Sequence, residues 1–570
     1  MGRRGGGLGR FGRLATVVLA FATVQPLWAG VASAGSRQVR DKVDPVLATA
    51  ARANPEAQFR VVVTAAPDLK PNGAGKAADE VRKANGRPTH ALGIVGGASA
   101  TVSGAALLKL ANDKDVAAIV EDRSFGVSFD PVLGAATAST AGIVEVGAPT
   151  VWSQYGLTGA GVTVAVVDSG VAAHPDLGSR LVAAIDFTSP APVVSPVPLG
   201  DPGGHGTHVA GLIAGDGSAS RGSYTGVAPG ANVVDVRVIR ADGTTDLSTV
   251  LRGLQWVLQN RHAYGIRVVN MSFGAVARTS YTQDVLATAA EVLTFAGIVV
   301  VVAAGNAGPA SGTIATPAID PYVVSIGALD DAGTVTTADD SLAAFSSRGP
   351  TIDGIAKPDV VAPGRKMVSL RAPGSTLDLR YPERRIATDP LLDPSYFMLS
   401  GTSMAAPVVA GVAALLLQRD PTLTPGQIKY RLVASALRLP FGVTNETGAG
   451  MVNVAAAVAS LDHSRGRTAF RITNAFANAS FALLNGQPLV WNDLTYHGGV
   501  DSKGRSWGAV GWGDITWDDI TWENLSWESF QWLDITWETL TASAIGWDSV
   551  DGLSVGSLSS GAAGGWELVN

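Results

Sequence analysis

The 570-residue chain has no cysteine, and that single absence removes disulfides, cysteine nucleophiles and thiolate metal sites together. Charge is sparse as well: Asp, Glu, Lys and Arg make up 16% of the residues, with a formal net charge of −6. Such a chain carries no basic footprint, so nucleic acid is excluded as an expected partner. With 46% hydrophobic residues it also lacks the composition of a disordered chain. Long apolar runs are few. The first spans residues 14–24, preceded by Arg3, Arg4, Arg10 and Arg13 and followed by Pro26 and Ala32-Ser33-Ala34. A basic start, a short apolar run and small residues at its end predict an export signal over 1–34, not an anchor. The second, 292–304, is bounded by Glu291, interrupted by Gly297 and carries four consecutive valines at 299–302. It predicts the end of a helix followed by a buried parallel strand. The expectation is a secreted protein with no membrane span once the signal is removed. Without disulfides, its stability must come from packing, bound ions or kinetic barriers.

The length suggests about three or four units. Residues 35–135 read as a small α+β sandwich: strands near 59–64, 98–103 and 116–121, with helices over 77–84 and 105–112 between them. From 140 to 465 the pattern becomes continuous apolar strands (162–167, 232–238, 268–271, 298–303, 322–326) alternating with helices (207–215, 247–260, 281–296). That alternation predicts an α/β unit, its mostly parallel central sheet covered by helices on both faces, with a site outside the carboxyl ends of the strands. Residues 466–570 differ again. Trp507, Trp512, Trp517, Trp522, Trp527, Trp532, Trp537 and Trp547 fall on a five-residue lattice, with Ala542 at the one missed position. Five residues advance a helix by about 500°, so a helix would scatter the rings. A Trp-rich repeat tail that packs on its parent domain and a stacking face for envelope polymers both remain open.

Three segments carry the chemistry. Val164-Ala165-Val166-Val167-Asp168-Ser169-Gly170 puts a carboxylate at the end of a buried strand, where a bare charge needs a partner. Gly204-His205-Gly206-Thr207-His208-Val209-Ala210-Gly211 offers two histidines at the start of a helix rich in small residues. The zincin pattern needs a glutamate between its histidines, and none is present, so His205 reads as a base and His208 as a residue that packs or bonds locally. Gly401-Thr402-Ser403-Met404-Ala405-Ala406-Pro407 precedes an apolar helix expected over 408–418, with Pro407 in its first turn. Asp before His before Ser is one chain order of a hydrolytic triad.

These segments closely resemble the signatures of subtilisin-like serine proteases, over roughly residues 145–465. The resemblance implies a triad of Asp168, His205 and Ser403 with an acyl-enzyme intermediate. It also implies an oxyanion donor at Asn306, in Ala304-Gly305-Asn306. Substrate would bind along Ser272, Phe273 and Gly274 and against Ala304 and Gly305, on a polypeptide held as an added strand. No charge stands in those walls, which predicts an apolar or broad preference. The unit at 35–135 resembles the inhibitory pro-domain of such zymogens. Asp176, in His174-Pro175-Asp176-Leu177, matches a calcium-ligand position, although the following loop at 216–225 lacks the usual asparagine. No cofactor is required for the chemistry, so calcium would be structural. Some thirty extra residues, from about 365 to 395, are expected to rim the cleft. The rival class is a non-catalytic surface protein on a retired protease fold.

Overall fold

A computed structural model describes residues 42–66, 73–127, 141–189, 191–388, 391 and 394–461, together with two short strands, Gly499–Val500 and Ser506–Trp507, paired antiparallel. The export signal at 1–34 lies outside the described residues, as does the tryptophan lattice apart from Trp507.

In the first unit the valine-rich strand Gln58–Ala65 lies inside a four-stranded antiparallel sheet. The order is Arg87–Leu92, Gly97–Ser103, Gln58–Ala65, Val116–Glu121. Helices Gly73–Lys83 and Gly104–Ala111 pack on the sheet within a residue or a few of their expected bounds. Two further elements carry weaker sequence signals. The helix Pro45–Ala53 begins with a cap, Asp44, whose side chain accepts from the N–H groups of Val46 and Leu47. The strand Arg87–Leu92 is an edge strand carrying Pro88 and burying only Leu92, so it shows little apolar pattern.

The second unit is built on a nine-stranded sheet. Its order is Ser341–Leu342, Val324–Asp330, Val299–Ala303, Ile266–Met271, Thr163–Asp168, Asn232–Arg237, Leu181–Asp186, Val193–Ser195, with Val360–Pro363 also paired to Val324–Asp330. All pairings are parallel except at Ser341–Leu342 and Val193–Ser195. The inner strands are buried on both faces: two apolar clusters divide them, one holding Val164, Val166 and Val301, the other Ala165, Val167 and Val300. After Thr163–Asp168 the chain builds Leu181–Asp186 and Asn232–Arg237 to one side, then Ile266–Met271 to the other. The strand carrying Asp168 therefore sits where the winding reverses, the place such sheets open a crevice.

The apolar stretch at 292–304 ends the helix Val285–Phe295, turns at Gly297 with φ +82°, and enters the buried strand Val299–Ala303. Among the described residues one helix, Thr402–Arg419, is long and apolar enough to cross a membrane, and it is 89% buried inside the fold. That helix corrects the expected 408–418. It starts at Thr402, so Ser403 lies within its first turn and Pro407 lies inside the helix rather than at its start. The thirty extra residues are also more than a rim. They supply the strands Met367–Leu370 and Arg385–Ile386, which pair with Tyr396–Leu399 just beyond them, and Met367–Leu370 packs on the helix His205–Ala214.

Candidate active site

Asp168 is the last residue of its strand and is fully buried. Its Oδ1 accepts from the His205 ring Nδ1 at 2.8 Å and from the Ser169 N–H at 2.7 Å, and its Oδ2 lies 3.0 Å from the same Nδ1. A carboxylate facing Nδ1 fixes the proton there, which leaves Nε2 as the basic nitrogen. His205 opens the helix His205–Ala214 behind Gly204, whose φ of +95° suits glycine. A side chain at Gly206 would collide with Gly170 O and come within 3.0 Å of the Asp168 Cβ, so only glycine lets the helix approach the strand end. Burial alone would push the His205 imidazole down, but the charge and hydrogen bond of Asp168 and the charge of Asp201 lift it above its ordinary 6.5.

Ser403 is the second residue of Thr402–Arg419, where a backbone N–H has no carbonyl one turn back to bond. Its hydroxyl donates to Ser272 O at 2.8 Å, and the Ser272 hydroxyl donates back to Ser403 O at 2.8 Å. Pro407 makes the second bond available: one turn after Ser403, it has no N–H to give that carbonyl. His205 Nε2 has no hydrogen-bond partner among the described residues. The structure thus joins Asp168 to His205, and Ser403 to Ser272, but not Ser403 to His205. The halves connect once the Ser403 hydroxyl leaves Ser272 O for His205 Nε2, a link such sites often complete only with substrate bound.

Asn306 follows the strand Val299–Ala303. Its Oδ1 accepts from Thr402 N–H at 2.9 Å and from Thr402 Oγ1 at 2.8 Å. With the oxygen held by two donors, the amide N–H₂ is the end aimed elsewhere, and the residue is braced against the helix start that bears Ser403. Thr402 Oγ1 also accepts from Gly305 N–H at 3.2 Å. Ser272, Phe273 and Ala304 are buried, and Gly305 has φ +110°. The two walls are bridged by Ala315–Thr316, which pairs with Ala275–Val276 and bonds to Ala304 O.

The sequence predicts that His208 packs or bonds locally; it is fully buried, as packing requires, but its bonds reach far along the chain. Its Nε2 contacts Met367 O and Phe397 O at 3.1 and 3.0 Å, tying the helix to the extra strands. Burial first, and then the neighbouring His205, push it down to about 3, so it is neutral. Both oxygens of Asp176 are taken by protein donors: Tyr396 OH at 2.6 Å, Ala219 N–H at 2.8 Å and Ser218 Oγ at 3.2 Å. Among the described residues no group of three His, Asp or Glu could hold a metal ion. The residues present do not fit a calcium ion at Asp176, and no step below involves one. Sequence reasoning passes over Tyr396 and Asp201, whose contacts lie up to 220 residues away along the chain.

A sequence model of the subtilase family matches residues 159–451, which hold Asp168, His205, Asn306 and Ser403. The chain belongs to the subtilase family. Its members are subtilisin-like serine endopeptidases, and the α/β sheet and the Asp168–His205 pairing fit that plan. This subtilase is 43% identical over 302 residues to the serine protease AprX of Bacillus subtilis (strain 168), across 52% of this chain and 66% of that one. It is 36% identical over 316 residues to Subtilisin Savinase of Lederbergia lenta, across 55% of this chain and 97% of that one. Among solved structures it resembles fervidolysin from Fervidobacterium pennivorans, a keratinolytic enzyme related to subtilisin, with TM-score 0.55 and 26% identity over 71% of this chain and 61% of that one. The matches thus span just under two thirds of AprX and of the fervidolysin chain.

Proposed function

We propose that this subtilase is a secreted serine endopeptidase made as a zymogen, and that it hydrolyses polypeptides through an acyl-enzyme intermediate. In this reading Ser403 Oγ turns from Ser272 O to His205 Nε2, loses its proton there and attacks the scissile carbonyl. The Asn306 amide and the Ser403 backbone N–H hold the oxygen as it becomes charged. The imidazolium then passes the proton to the leaving amine, and a water repeats the sequence to release the acyl group. Asp168 holds the ring in one tautomer and stabilises its charged form. The buried Asp168–His205 contact, 2.8 Å long and with Nε2 left basic, carries the reading. A non-catalytic surface protein would have no reason to keep a lifted imidazole beside a braced serine.

Ser272, Phe273, Gly274, Ala304 and Gly305 form the uncharged walls for the residue before the scissile bond, which favours Leu, Phe or Tyr over Arg or Asp. The first unit, residues 35–135, acts as an intramolecular inhibitor. In support, Asp122 accepts from the N–H and hydroxyl of Ser248, both at 2.8 Å, at the start of the helix Leu247–Asn260. The strand Ser124–Gly126 pairs with Thr244–Asp246, and the Phe125 ring lies 6.1 Å from that of Phe273. A fluorophosphonate probe tests the whole reading. It should label the purified wild-type chain and not Ser403→Ala, and Ser403→Ala should stay unprocessed in a protease-free host. Equal labelling of both would refute it. Residues 35–135 added as a separate fragment should inhibit peptide hydrolysis by the mature enzyme.

A further inference from the structure

Asp201 lies four residues before His205 and is 7% exposed, and its side chain is surrounded by donors alone. Its Oδ1 accepts from Ser169 Oγ at 2.8 Å and from the N–H groups of Gly203 at 3.1 Å and Gly204 at 2.7 Å. Its Oδ2 accepts from both Thr207 N–H and Thr207 Oγ1 at 2.8 Å. Five donors and no acceptor leave nowhere for an acidic proton to point, so the geometry calls for the carboxylate. Ser169 follows Asp168 directly, and its hydroxyl also accepts from Gly206 N–H at 3.0 Å. Thr207 Oγ1 in turn accepts from Ala172 N–H at 2.9 Å. One buried carboxylate therefore joins the strand end that carries Asp168 to the first turn of the helix that carries His205. The loop between is held from the far side, where Thr376 and Leu377 donate to Pro202 O and Gly203 O.

We propose that Asp201 is a positioning residue of this site, one that locks His205 against Asp168 and gives the imidazolium a second negative charge. The inference rests on the endopeptidase reading above. The charged and titratable groups around it are few. Asp168 and His205 are the pair it aligns. From the adjacent strand, Asp235 is fully buried, and burial pushes its carboxyl well above the usual range, towards the uncharged form. Arg237 is engaged elsewhere, with Asp186 at 2.9 Å and the carbonyls of Leu199 and Gly200. His208, beyond His205, is neutral. Burial lifts the Asp201 carboxyl and its donors draw part of that back, and the five donors are what call for the carboxylate.

The test uses the full chain after processing, with rates expressed per site titrated by a fluorophosphonate. Asp201→Asn keeps the size and removes the charge. For a peptide amide, kcat should fall roughly tenfold or more with KM nearly unchanged, since the loss is in transition-state alignment and charge. The acid limb of kcat/KM should move to lower pH by roughly half a unit, because an imidazolium robbed of a nearby anion gives up its proton sooner. Thr207→Val keeps the charge and deletes two bonds, the one to Asp201 Oδ2 and the one from Ala172 N–H, so it should lower kcat and leave the limb in place. A merely structural Asp201 would reduce the titratable fraction or the melting temperature and leave both kcat per site and the limb alone. That result overturns the inference, and so does an unchanged kcat in Thr207→Val, even where Asp201→Asn does not fold. A wild-type chain that neither labels nor hydrolyses amides would instead sink the parent reading, and this one with it.

Discussion

Asp168 and Asp201, at the site, are buried about as deeply as Glu291 and Asp320, which lie between the helix Val285–Phe295 and the turn after Pro317, yet the two pairs meet opposite surroundings. At the site every carboxylate oxygen meets a donor: the histidine ring, four hydroxyl or amide groups from Ser169 and Thr207, and the backbone N–H groups of Gly203 and Gly204. At the other place acid faces acid. Among the described residues both Glu291 oxygens and Asp320 Oδ2 are buried without an N–H or hydroxyl donor, and Glu291 is pushed well above the usual carboxyl range by burial and by Asp320. Burial is the same in both and only the donors differ. A fold keeps a buried charge where chemistry needs one by supplying donors, and elsewhere lets a proton settle the matter.

The contrast breaks most sharply at Asp168. Asp168→Asn preserves the shape but offers the ring an amide where a carboxylate fixed the tautomer, and amide hydrolysis should fall by about 10⁴. A drop below tenfold in kcat would mean that His205 is oriented by other groups. Next comes Asn306→Ala, which should fold and hydrolyse amides about 10² to 10³ more slowly, a range that belongs to the matching donor of a subtilisin. Equal turnover would move the oxyanion donor away from Asn306.

The next effect falls on stability. Tyr396→Phe removes the hydroxyl from Asp176 and leaves a buried carboxylate oxygen short of a donor, at a cost of about 1–3 kcal/mol. Thermal unfolding in buffer with a chelator and with added calcium would check it. A wild-type melting point that rises sharply with calcium while Tyr396→Phe melts like the wild type would show that the hydroxyl is not the strut.

The smallest effect sharpens the comparison from its other side. Folded Glu291 holds its proton more tightly than an unfolded glutamate near 4.3. Its share of stability is therefore full below that value and is lost as pH rises towards the folded value. Glu291→Gln should thus stabilise the protein at alkaline pH and change little near pH 4. Parallel curves of melting temperature against pH for the two proteins would refute the proton-sharing account.

Much of this is legible along the chain because it is local. The Asp168 strand, the glycines around His205 and the serine before an apolar run announce themselves within a few residues, and the five expected sheet strands are present near their expected positions, although the inner strand Leu181–Asp186 is not among them. The remainder depends on contacts that sequence spacing does not carry. Tyr396 reaches Asp176 across 220 positions, and His208 reaches Met367 and Phe397 across 159 and 189. Asp201 looks like any turn aspartate until its five donors are counted in space. The Ser403 helix starts earlier than its sequence suggests because Pro407 reads as a first-turn residue, whereas here it sits inside. Which way the Ser403 hydroxyl points is a rotamer choice, and no motif records it.

Pro407 also sets a limit on repair. An alanine there would restore a helical hydrogen bond and, judged as a helix, would be an improvement of about 3 kcal/mol. It would also hand the Ser403 carbonyl a new suitor. That carbonyl accepts from the hydroxyl of Ser272, a residue of the proposed substrate wall, so in that proposal pocket and nucleophile share one alignment. A stronger helix would be a less informed one, its serine no longer told where the pocket stands.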